Sequence, residues 1–200
     1  MSSNIKTSGT ASGTETTRDL AVIAATRRWL EAAVIGLNLC PFARAPLAAG
    51  RIRFSVSRAE TVEALLDDLQ SELRRLAAAS PEECETSLLI HPHVLADFAD
   101  YNDFLDVADK VLKRLKLVGH IQIASFHPDY QFSGTLPDDM GNFTNRSPYP
   151  MLHLLREGSI EHALAAYPEP DRIYKRNIET LRALGRAAWD RMALGPAGDE

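Results

Sequence analysis

The stretch IRFSVSRAETVEALLDDLQSELRRLAAASPEECETSLLI, residues 52–90, decides the fold class. Ile52, Phe54 and Val56 alternate with Arg53 and Ser55, the two-residue period of a strand with one buried face. Ser57 and Glu60 stand at capping-box spacing. Val62, Leu65, Leu66, Leu69, Leu73 and Leu76 follow as one apolar helical stripe. Thr86–Ile90 is short and apolar, bounded by Glu85 and His91-Pro92, and reads as a buried strand. Strands separated by a long helix favour parallel pairing.

The pattern extends in both directions. Downstream, Phe104, Leu105, Ala108, Val111, Leu112 and Leu115 make another helix, which Gly119 breaks, and Ile121–Phe126 reads as a third strand. Upstream, Thr16 and Asp19 suggest a cap for a helix carrying Leu20, Ile23, Arg27, Leu30, Val34 and Leu37. Pro41 should stop that helix near Leu39. Residues 1–15 are polar and predicted to be a disordered tail. After Phe126 the periodicity vanishes until Pro150. Short helices are then expected at Met151–Arg156 and Ile160–Ala166, a final helix at Asp171–Met192, and a frayed end at residues 195–200. The sum is one α/β domain, residues 16–194. Its small three-stranded, mostly parallel sheet is flanked by helices, with a long polar loop after the third strand. An α+β sandwich with an antiparallel strand is the alternative.

The chain has 200 residues, enough for one sizeable core, with 45% hydrophobic and 24% charged residues. A net charge of −5 argues against a nucleic-acid partner, which calls for a basic face, but leaves room for a local pocket binding a small anion. Two cysteines, Cys40 and Cys84, far apart and without a CxxC pair, signal neither a disulfide framework nor a zinc ribbon. No apolar run approaches the roughly 20 residues of a membrane span, and Met1–Thr17 lacks the apolar core of a signal peptide. A reducing, cytoplasmic setting is expected. No cofactor is implied, and the oligomeric state is not readable.

In open parallel sheets, ligands collect beyond the carboxyl ends of the strands. The second and third strands end in His91-Pro92-His93 and His127-Pro128. If the strands are parallel, both turns and the loop His127–Ser147 share one edge. Loops longer than about 15 residues are usually functional or disordered. Tyr130, Phe132, Phe143 and Tyr149 favour an anchored loop. Within it Asp138, Asp139 and Asn142 form an acidic group suited to a hard cation or to acid–base work, or else to capping turns. Asn145, Arg146 and Ser147 precede an expected helix start, which suits an anion, although Ser147 equally serves as a cap. Cys40 is a candidate nucleophile if His127 or His153 approaches it as a base; the alternative is an inert buried thiol. Cys84, among Glu82, Glu83 and Glu85, is given no role. His91, His93, His127 and His153 lack local metal-ligand spacing, so a metal at His91 and His127 requires convergence of distant segments. His153 is alternatively a surface or satisfied core histidine.

Four strings carry a family resemblance: Gly36-Leu37-Asn38-Leu39-Cys40-Pro41-Phe42-Ala43, Asp97-Phe98-Ala99-Asp100-Tyr101-Asn102-Asp103-Phe104-Leu105, Gln122-Ile123-Ala124-Ser125-Phe126-His127-Pro128 and Thr144-Asn145-Arg146-Ser147-Pro148-Tyr149-Pro150-Met151-Leu152-His153-Leu154-Leu155-Arg156. Together they resemble the bacterial DUF1415 family of uncharacterised proteins, over nearly the whole chain after the tail. The resemblance implies a cytoplasmic single-domain protein of this length, with no mechanism and no catalytic residues. Two readings follow. In the first, an enzyme acts on a small polar or anionic substrate, with Arg146, Asn145, Ser147, Asn142, Tyr130 and His153 as binding residues and His127, Cys40, Asp138 and Asp139 as catalytic ones. In the second, a non-catalytic binding or regulatory module grips its ligand with the same loop.

Overall fold

A computed structural model describes residues 10–165, 167, 169 and 172–198. Helix α1, Thr10–Trp29, widens into a π-helical turn, Leu30–Ile35. Gly36 closes that turn, donating its amide to Glu31 O at 2.9 Å. A Cβ at Gly36 would lie 2.2 Å from the Ala32 carbonyl oxygen, so the close approach requires glycine. There follow α2 (Arg44–Ala48), β1 (Ile52–Val56), α3 (Val62–Ala78), β2 (Thr86–Ile90), α4 (Phe98–Arg114) and β3 (Ile121–Phe126). A 3₁₀ turn, Met140–Thr144, lies inside the long loop. The chain then forms β4 (Met151–Arg156), α5 (Glu157–Ala165), α6 (Ile173–Leu184) and α7 (Arg186–Arg191).

The alternating pattern of β1 and the apolar run of β2 form strands as expected, and the two pair in parallel, Ile52 opposite Thr86 and Val56 opposite Ile90. Helix α3 is capped one turn later than expected. Thr61 Oγ1 accepts from the Ala64 amide at 3.2 Å, while Ser57 donates to Asp68 at 2.6 Å. Asp97 caps α4, which therefore begins at Phe98, ahead of its first expected apolar residue. Among the described residues, no helix is long and apolar enough to cross a membrane.

The sheet differs from expectation in strand number and pairing. It has four strands in the order β1-β2-β4-β3, and β4 is antiparallel to both neighbours. Met151–Arg156, expected as a short helix, is this fourth strand. Leu152 and Leu154 face the α3 and α4 core, Met151 the opposite core, and all three have no exposed surface. A central strand buried on both faces has no polar alternation to reveal it. The mixed α/β fold thus has one parallel and two antiparallel pairings.

Two cores cover the two faces. Leu89, Leu152, Leu154 and Ile121 pack with Leu65, Leu69, Leu73 and Leu76 of α3 and Tyr101, Phe104 and Ala108 of α4. Leu88, Ile90 and Met151 pack with Trp29, Leu30, Ala33 and Val34 on the other face. A small third cluster, Leu39, Phe143 and Leu181, clamps the long loop to α6. The expected disordered tail divides: α1 includes residues 10–15, and residues 1–9 lie outside the described residues. The expected single C-terminal helix is split. Its start, Asp171, lies outside the described residues, and Gly185 at φ +73° separates α6 from α7. In the stretch expected to fray, the Ala197 amide donates to Tyr149 Oη at 2.7 Å.

Candidate functional site

The expected shared edge exists, by a different route. Ile90 ends β2 and Phe126 ends β3, and both lie opposite Met151 of the intervening β4. Since β4 opposes both, β2 and β3 run in the same direction, and His91 and His127 leave the sheet at one end. Both histidines have no exposed surface, and Tyr101 lies between them, its ring centroid 5.8 Å from His91 and 5.1 Å from His127. Carbonyls only accept, so each ring nitrogen facing one carries the proton. His91 donates from Nδ1 to Val94 O at 3.0 Å, and His127 donates from Nε2 to Leu95 O at 3.2 Å. His127 Nδ1 accepts from the Asp129 amide at 3.0 Å. Both His127 nitrogens are therefore engaged, and burial lowers its pKa, so it stands as a neutral strut. Burial holds His91 at about 4, and its Nε2 is enclosed without a partner among the described residues.

The loop from His127 to Pro150 is held by its own polar groups. Asn142 has no exposed surface. Its Oδ1 accepts from the Phe132 amide at 3.0 Å and the Thr135 hydroxyl at 2.8 Å, and its Nδ2 donates to Leu136 O at 2.8 Å. Asp139 caps the 3₁₀ turn at Gly141 and pairs with Arg182 at 3.1 Å; the Gly141 amide and Arg182 hold its carboxyl below the usual range. Asn145 donates to Ser125 O, and Ser147 to Tyr149 O. The Tyr130 ring packs on Phe98 and Phe132, at 5.1 and 5.0 Å. Asp138 is exposed and makes no hydrogen bond or ion pair among the described residues. The acidic group thus does not converge on one point.

Arg146 is the exception. Its Nε donates to Tyr130 O at 3.3 Å and Nη2 to Pro137 O at 2.7 Å, with the guanidinium 4.3 Å from the Phe143 ring centroid. Trp29 Nε1 donates to the Arg146 carbonyl at 2.9 Å, tying the residue to α1. Nη1 has no hydrogen-bond partner, and Arg146 has no ion-pair partner, among the described residues. Burial lowers its pKa; Asp129 raises it and Arg186 lowers it. The side chain faces a cleft of about 340 Å³ between the loop, the end of α1 and the C-terminal segment. Arg186 reaches the same cleft, its guanidinium 5.5 Å from the Phe143 ring centroid. Trp189 stands edge-on to Phe143 at 5.2 Å. A second cleft, of about 640 Å³, lies at the opposite end of the sheet around His120, His162 and Arg156. There Arg156 is taken up by Leu76, Ala79 and Cys84 carbonyls. No predicted site residue lines that second cleft.

A family described as "Protein of unknown function (DUF1415)" matches residues 21–191, a span containing the sheet, the loop and α7. The chain belongs to the DUF1415 family. No curated protein and no solved structure matches it.

In this DUF1415 chain the remaining predicted residues lie apart from the cleft. Cys40 packs into the core on the α1 side, whereas the His127 ring packs against Phe98 and Tyr101 of α4 on the other face. Burial pushes the Cys40 thiol up, against hydrogen bonds from the Phe42 and Ala43 backbone. The geometry therefore does not bring this thiol and the His127 base together. His153, on β4, is a satisfied core histidine. Thr86 Oγ1 donates to Leu154 O at 2.6 Å and so accepts from His153 Nε2 at 2.7 Å, and burial holds the ring at about 4. Among the described residues, no three His, Cys, Asp or Glu side chains are placed to hold a metal. Of the predicted residues, Arg146 and Ser147 line the cleft, and Trp29, Asp129, Phe143, Arg186 and Trp189 join them. The sequence marked Phe143 only as a loop anchor and did not single out Trp29, Asp129, Arg186 or Trp189. Gly185, inside an otherwise helical pattern, was the available signal that Arg186 and Trp189 belong to a separate element.

Proposed function

We propose that this DUF1415 protein is a binding module for a small anionic molecule, held by Arg146 with help from Arg186. One observation carries the reading: among the described residues, a half-buried guanidinium lacks a carboxylate partner and retains a free Nη1 on a cleft with aromatic walls. A cation withdrawn from water without a counter-ion is costly, and a ligand anion offsets that cost. A volume of about 340 Å³ falls at the small end of ligand pockets. Catalysis through Cys40 and His127 has less support, because both His127 nitrogens are committed and the thiol is held in its neutral form. The two free thiols support a reducing, cytoplasmic setting as part of the same proposal.

Isothermal titration of the intact protein with acetate, benzoate and indole-3-propionate tests the reading. Saturable binding of the aromatic acids is expected, weakened about tenfold or more in Arg146→Gln, the loss of a charge-assisted hydrogen bond. Arg186→Gln, a change at an exposed side chain that the fold tolerates, should weaken it less. Absence of saturable binding, or equal affinity in the wild type and both variants, overturns the proposal.

A further inference from the structure

We propose that the Arg146 cleft receives a zwitterion: a molecule with one carboxylate, one ammonium group and an apolar or aromatic side chain, as in a free α-amino acid. This rests on the anion-binding reading and narrows it. The cleft wall carries two arginines and two aspartates, and they are not equivalent. Arg186 is paired with Asp190, its Nε donating to both carboxylate oxygens at 2.8 and 3.0 Å, which leaves it the weaker of the two cations. Arg146 and Asp129 line the same cleft but form no ion pair with each other or with any other described residue. Asp129 is fixed through its backbone, whose amide donates to the buried His127 ring, and this leaves its carboxylate exposed.

Two opposite charges thus stand on one small cleft without pairing with each other. A molecule bearing both charges completes both pairs. A simple anion meets the Asp129 carboxylate, and a simple amine meets Arg146, so each leaves one charge unanswered and is discriminated against. Trp29, Phe143 and Trp189, with Pro128 and Pro148, supply the wall for the side chain. The volume suits a single amino acid rather than a longer peptide.

The experiment titrates the intact protein with L-tryptophan, L-phenylalanine and L-leucine, and with indole-3-propionate and tryptamine, which each lack one charge. At least one amino acid should bind tenfold or more tighter than either single-charge analogue. Asp129→Asn should remove the preference over indole-3-propionate without weakening indole-3-propionate itself. Circular dichroism of the variant checks that it is folded. If indole-3-propionate binds through Arg146 and no amino acid binds more tightly, the zwitterion proposal fails and the anion reading stands. An unchanged preference in folded Asp129→Asn also overturns the proposal. If none of the five compounds binds, both readings fail.

Discussion

Asn142 turns a polar loop into a fixed surface. Its amide satisfies two donors and one carbonyl from three different residues of the loop while fully enclosed. Buried polar groups left without partners each cost about 1–3 kcal/mol. Asn142→Ala is therefore expected to lower stability by about 3 kcal/mol in urea denaturation, and to open residues 131–139 to limited proteolysis. Stability within about 0.5 kcal/mol of the wild type would show that the amide is not the loop's fastening. The consequence for function is indirect. Arg146 donates to Tyr130 and Pro137 carbonyls on either side of this knot, so a loosened loop misplaces the guanidinium.

Helix α4 helps close the sheet through one hydroxyl. Tyr101 Oη donates to Met151 O at 2.8 Å and accepts from the Phe126 amide at 3.0 Å, bridging β3 and β4 where their facing ends meet. Burial raises its pKa, so it remains protonated and able to donate. Tyr101→Phe removes one hydrogen-bond partner each from the Phe126 amide and the Met151 carbonyl without removing the ring. A loss of about 2 kcal/mol is expected, with faster amide exchange at Phe126. If exchange at Phe126 is unchanged, another group bridges the strand ends. The element matters for the cleft because Phe126 leads directly into His127, Pro128 and Asp129.

At the scale of the whole molecule, three neutral histidines held below their ordinary pKa, His91, His127 and His153, set a pH dependence. His91 and His153 sit at about 4 in the folded chain against an ordinary 6.5, with burial the leading cause for both. Above about pH 6.5 both states are neutral and stability is at its full value. As pH falls from about 6.5 toward 4, only the unfolded chain takes up these protons, and stability declines. Below the folded pKa the loss levels off. Thermal midpoints should therefore be flat from about pH 7 to 8 and fall steadily toward pH 4. His153→Gln should shallow that slope. A slope identical in the variant would mean that His153 does not contribute.

The sequence by itself determined the elements that a clear period or a short bounded apolar run marks. The alternation in Ile52–Val56, the leucine stripe of Val62–Ala78 and the apolar runs Thr86–Ile90 and Ile121–Phe126 each appear where local pattern places them. It also located the loop, because a long unpatterned stretch with aromatic anchors is a local property. Tertiary structure alone decided β4, whose position between β2 and β3 buries both faces and erases the alternation that would mark a strand. It decided the cleft as well: Trp29, Arg146 and Arg186 are far apart along the chain, and only packing of α1 and α7 against the loop brings them to one wall. Whether a charge is paired depends on what lies across space, which is why Asp139 and Arg146, similar as polar loop residues in sequence, end respectively as a turn cap paired with Arg182 and a cation without an ion-pair partner among the described residues.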